Sequence, residues 1–170
     1  MTDDLDDIEE SSGAAASRFG GPPAAKARSA VQRAVTGLLD ELAPERPAPR
    51  AGRPPVAVEQ YRTPNGVVLQ AASAAVSVSW FPDTTSEVEL GELQVILWRG
   101  IVNRRGAAPR KERAEVVREM VLRPYEQAPE DYAWRAADGT TYTSASLSEH
   151  CLALLAAQIG APAGASSAAS

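Results

Sequence analysis

At 170 residues and a net charge of −5 (17 Lys and Arg against 22 Asp and Glu), the chain suits one domain and lacks the bulk positive charge of a polyanion binder. A single cysteine, Cys151, excludes an internal disulfide framework, and no apolar run approaches the roughly 18 residues that cross a bilayer. The acidic start has neither the basic region nor the apolar core of a secretion signal, so the expectation is a cytoplasmic protein with no membrane partner. Two lysines against fifteen arginines, with abundant alanine, look like a GC-rich bacterial codon bias.

Residues 1–23 begin with six carboxylates in ten positions, Asp3, Asp4, Asp6, Asp7, Glu9 and Glu10, and continue into Ser, Gly, Ala and Pro. Such a stretch buries too little apolar area to offset the entropy of ordering it, which predicts a disordered acidic tail. Residues 24–43 predict an amphipathic helix, because Val31, Val35, Leu38, Leu39 and Leu42 form one continuous stripe that Pro44 ends. That stripe must be buried, either on the chain's own sheet or against another subunit, and so it is a candidate partner-helix face. Residues 44–55 hold five prolines and predict an extended linker rather than packed structure.

An α+β domain is expected over 56–160. A strand over 56–62 leads into the turn Thr63-Pro64-Asn65-Gly66, where Pro64 presets φ at the first corner. Two apolar runs then follow, 67–81 and 88–102, joined by the polar loop 82–86. Val76, Val78 and Trp80 alternate with Ser77 and Ser79, as in a half-buried strand. Val67, Leu69 and Ala71 alternate on the opposite parity, which implies a bulge or break near residues 73–75. In the second run Leu93, Val95 and Leu97 share one face, with Ile96, Trp98 and Val102 on the other. The rival reading is a helix capped by Ser86 and Glu89 and carrying Leu90, Leu93, Leu97 and Ile101. Gly91, Gly100 and the β-preferring Val-Ile-Leu-Trp run favour the strand.

After a polar connection over 103–111, residues 110–123 predict a second helix with Val116, Val117, Met120 and Val121 as its stripe, stopped by Pro124. Residues 125–130 read as a loop. Residues 132–143 read as a hairpin with Asp138-Gly139 at its tip, Tyr132, Trp134 and Ala136 on one face, and Tyr142 across from them. The last helix is expected to start at a capping box of Ser146 and Glu149, to bury Leu147, Cys151, Leu155 and Ile159, and to end on a left-handed Gly160. Residues 161–170 are expected to form a second disordered tail.

The resulting fold class is α+β: a mainly antiparallel sheet of about five strands, in the order α-β-β-β-α-β-β-α, with helices packed on one face. This order is similar in topology to the small dimeric secretion-chaperone fold and to related sensory-regulator domains. It is a likeness of element order, without a diagnostic motif of either family.

The sequence shows no constellation that points to catalysis. His150 and Cys151, the lone histidine and lone cysteine, are neighbours on a predicted helix, so their side chains diverge by about 100°. They build neither a thiolate–base pair nor a metal site, and no cofactor, catalytic residue or metal ligand is expected. The strongest lead is the basic segment 99–113. Arg99, Arg104, Arg105, Arg110, Lys111 and Arg113 stand there against Glu112 alone, with Arg104, Arg105, Arg110, Lys111 and Arg113 as candidate contacts to a polyanion or acidic partner. The acidic tail is a ready competitor for them.

The favoured expectation is a non-catalytic protein-interaction module, chaperone- or adaptor-like, that binds a protein partner and forms a homodimer. The alternative is a nucleic-acid-associated regulator using the basic segment. If the sheet has an uncovered face, some of Trp98, Ile96 and Val102 must be hidden by a partner.

Overall fold

Alternating apolar and small polar residues lay down the centre of the sheet, and the helices close over one side of it. A computed structural model describes residues 25–86, 89–102 and 114–161. Its elements are helix α1 (Ala25–Leu42), strands β1 (Ala48–Arg50), β2 (Arg53–Val56), β3 (Glu59–Thr63), β4 (Gly66–Ala71), β5 (Ala74–Pro82), β6 (Gly91–Arg99), β7 (Glu115–Ala128), β8 (Asp131–Ala136) and β9 (Thr141–Tyr142), and helix α2 (Ser144–Gly160). Strands β3 to β9 form one antiparallel sheet in sequence order, and β1 and β2 form a separate two-stranded ribbon. The class is α+β. The described residues hold nine strands where about five were expected.

Three expectations on the element order are corrected. The predicted helix over 110–123 is strand β7 from Glu115 onward, and residues 110–113 lie outside the described residues. With that helix gone, the order behind the secretion-chaperone likeness is not the one observed. Pro124, read as a helix stop, sits inside β7 opposite Trp134, two residues past the last β6 pair, Leu93 with Leu122. There β7 has no β6 neighbour, so the missing N–H breaks no rung. The expected loop over 125–130 is largely β7 too. The Pro-rich stretch 44–55, expected to be extended and unpacked, carries the β1–β2 ribbon, and Ala48 of that ribbon is fully buried in the core.

The run 67–81 is two strands. Its parity switch comes from a two-residue reversal at Ala72-Ser73, which keeps Ala71 and Ala74 paired and therefore on one face. Ala72 takes φ 46°, the left-handed region an alanine seldom adopts. At the other end of β4, Gly66 has no room for a side chain: a Cβ there would overlap the Val78 carbonyl oxygen. The helical rival for the second run is excluded, since β6 pairs with β5 and β7 along its length. Ser86 does accept the Glu89 N–H at 2.8 Å, half of a capping box with no helix behind it.

Register partners share a face, so the core side follows directly: Val67, Leu69, Val76, Val78, Trp80, Leu93, Val95, Leu97, Leu122 and Trp134. All ten are buried in one cluster with Val31, Val35, Leu38 and Leu42 of α1 and Leu147, Cys151 and Leu155 of α2. Each large side chain buried this way contributes about 1.5–3 kcal/mol. Trp80 and Trp134 meet edge to face at 5.8 Å.

Helix α2 starts earlier than its sequence suggests. Thr143 is the N-cap, and Ser146 completes the capping box from N3, its hydroxyl accepting the Thr143 N–H at 2.9 Å. Gly160 is the last helical residue and is absent from the positive-φ glycines, so the expected left-handed cap is replaced by an extended Ala161. Among the described residues no helix is long and apolar enough to cross a membrane.

Candidate functional site

Both helices pack on the core side, so neither covers the opposite face of the sheet; at the exit of β6 residues 100–102 lie against that face, where Val68, Gln70 and Ala75 are buried. Its composition follows from register. One row across the strands reads Val68, Ser77, Ile96, Glu119, and the next reads Gln70, Ala75, Trp98, Val116. A third reads Gly66, Ser79, Gln94, Val121. Ile96 and Trp98 are half-buried, Val116 is 50 % exposed and Val121 38 % exposed. Ile101, just beyond the strand end, is 47 % exposed. An apolar patch therefore lies at the end of the sheet where β6 finishes and β7 begins.

The indole N–H of Trp98 donates to Ser77 Oγ at 2.9 Å, which satisfies its one polar atom within the face. The end of β6 is fixed by the Gly100 N–H, which donates to the Ser73 carbonyl, and by a buried glutamine. Gln70 Oε1 accepts the Val102 N–H at 3.0 Å, and its Nε2 donates to the Ala74 carbonyl at 2.9 Å and the Gly100 carbonyl at 3.3 Å. In the middle of the face Gln94 donates to Glu119, a polar island between the Trp98 patch and the other end of the sheet.

At that other end, β7 outruns β6. Arg123 bridges the gap to Glu89 and Glu92 at 2.9 and 3.0 Å. Arg135, its register partner on β8, lies over the Tyr125 ring with Cζ 3.3 Å from the centroid. The two arginines border a groove of about 530 Å³.

Of the residues singled out in the sequence, Val31, Val35, Leu38 and Leu42 are buried in the chain's own core, and Leu39 packs partly buried against it. The stripe proposed as a partner-helix face is thus occupied within the chain. Arg99 pairs with Glu115 at 3.3 Å. Arg104, Arg105, Arg110, Lys111 and Arg113 lie outside the described residues, as does the acidic tail. Cys151 is buried, and burial pushes its thiol up to about 12, away from any nucleophilic role at neutral pH. His150 packs on Tyr142 at 5.1 Å, and desolvation lowers its pKa, with the nearby Arg118 acting in the same direction. Sequence reasoning missed the Tyr125–Arg135 contact, because Tyr125 was assigned to a loop. Among the described residues no group of three or more His, Cys, Asp or Glu is placed to hold a metal.

Comparison with protein-family models, with curated proteins and with solved structures returned no match for this chain.

Proposed function

We propose that the protein is a non-catalytic protein-interaction module, adaptor- or chaperone-like, that associates with a second copy of itself through the helix-free face of its sheet. One observation carries this reading: the face presents Ile96, Trp98 and Val116 as a partly exposed apolar patch that neither helix covers. Patches of this kind mark interaction sites more often than bare surface. The patch occupies one end of the face only, and so small a contact suits a concentration-dependent dimer.

Acrylamide quenching tests the reading, because Trp80 and Trp134 are 6 % and 0 % exposed and only Trp98 lies within reach of a quencher. The quenchable emission is expected to fall as protein concentration rises. A nucleic-acid role built on Arg99 and residues 104–113 would show instead as salt-dependent nucleic-acid binding with quenching unchanged by concentration, and that result would overturn the proposal.

A further inference from the structure

Strand β7 is flanked unevenly. β6 pairs with it from Glu115 to Leu122, whereas β8 joins only at Leu122, opposite Ala136. Residues 115–121 are therefore bonded on one side and have no strand on the other among the described residues. Residues 115–119 are all exposed. The direction of the free backbone groups follows from the tight reversal at Ala72-Ser73, which makes Ala71 and Ala74 a mutually bonded pair. Alternation carries this across the sheet: Ser77 and Ser79 bond to β6, Val95 and Leu97 to β7, and Arg118 and Met120 back to β6. The N–H and C=O of Glu119 and Val121 thus point out of the edge. An open edge set with the exposed Val116, Val117 and Val121 is a template for pairing with a second chain.

We infer that the bulge at Val117 and the carboxylate of Glu119 guard this edge against a second copy of the chain, and that removing both lets β7 pair with β7 as one continuous sheet. The bulge interrupts the two-residue recurrence of outward groups that a partner strand needs. Glu119 stands between Val116 and Val121, and Gln94 donates to its carboxylate and holds it there. A two-fold antiparallel pairing centred on Glu119 would set that carboxylate directly against its copy. Centring on Arg118 would oppose two guanidiniums, and centring on Met120 would drive the partner strand into β8 at Ala136. Deleting Val117 leaves Val116 two places before residue 119. With valine at 119, the facing residues are then Val116 with Val121, 119 with 119, and Arg118 with Met120, none of them like-charged. The edge is distinct from the helix-free face, and its guarding does not rest on association through that face.

The test is amide hydrogen exchange in the full-length protein, wild type against a variant with Val117 deleted and Glu119→Val. In dilute wild type the Glu119 amide should exchange fast, while Met120 and Leu122, bonded to β6, exchange slowly. In the variant the amides at 119 and 121 should slow by about tenfold or more as protein concentration rises. Should the deletion not fold, Glu119→Val alone decides: its amide at 119 should slow with concentration, and that of Glu119→Asp should not. Slow exchange at Glu119 in dilute wild type would show an edge already covered and overturn the inference. Exchange at 119 that stays fast in the folded variants at every concentration would overturn it as well.

Discussion

Trp98 and Ser77 sit on neighbouring strands of the helix-free face, and the indole N–H donates to the serine hydroxyl at 2.9 Å. The bond removes the only polar demand of the ring, so a large flat surface lies on the sheet with nothing left to solvate but carbon. Replacing Ser77 with Ala should cost about 0.5–1.5 kcal/mol in chemical denaturation and leave Trp98 more easily quenched. An unchanged quenching constant would mean that the bond does not hold the ring in place.

Helix α1 is predicted to be a structural element of its own subunit. Leu38 is fully buried, so Leu38→Ala should destabilise the fold by about 2–5 kcal/mol, whereas the partly buried Leu39→Ala should cost clearly less. Urea titration of both variants checks this. Equal small costs, with a change in molecular mass, would place the stripe on a partner instead.

Gln70 ties the β4–β5 turn to the exit of β6. Gln70→Leu removes the partner of the Val102 N–H and of the Ala72, Ala74 and Gly100 carbonyls together, and a loss of about 1–3 kcal/mol is expected. Amide exchange at Val102 should quicken most. Exchange that quickens elsewhere and not there would show that the glutamine is not the anchor.

How much of this was legible in the sequence depends on whether a pattern survives its context. The alternation of Val76, Val78 and Trp80, and that of Leu93, Val95 and Leu97, is undisturbed, and each set shares one face of its strand as the spacing implies. The stripe of α1 was equally plain. Strand β7 was hidden by its own irregularity: Leu97 pairs with Arg118 but Trp98 pairs with Val116, so Val117 is an extra residue. That bulge breaks the two-residue period and leaves Val116, Val117, Met120 and Val121 at helical spacing. Ala48 gave no signal either, since a small residue among prolines is buried here by the tertiary fold alone. The Arg135–Tyr125 groove needs the β7–β8 register, which composition cannot supply.

Cys151 is predicted to be inert in the folded protein, because burial raises its pKa to about 12 and leaves no exposed thiol. Its reaction with an aromatic disulfide reagent should follow the unfolding rate and be insensitive to reagent concentration. A rate that rises in proportion to reagent would show native-state access.

Stability should fall on mild acidification. Burial holds the pKa of His150 below its ordinary 6.5, so the fold favours the neutral imidazole. The contribution is complete above pH 6.5 and is lost as pH falls through the folded-state value, where the unfolded chain binds the extra proton. Asp83, lowered by hydrogen bonds from Ser86 and Thr85, acts with the same sign but only below its ordinary 3.8. Urea midpoints should therefore drop between pH 7.5 and 5.5, and His150→Gln should flatten the drop. An equal drop in the variant would assign the effect to another group.

The helix-free face as a self-association surface is tested most directly by light scattering across protein concentration. The wild type should rise from 17.9 kDa toward twice that mass, while Val116→Asp, which places a charge on the exposed apolar row, should stay at 17.9 kDa throughout and unfold at the same urea concentration. A wild type that stays monomeric at every concentration, or a Val116→Asp variant that pairs as well as the wild type, would contradict the account.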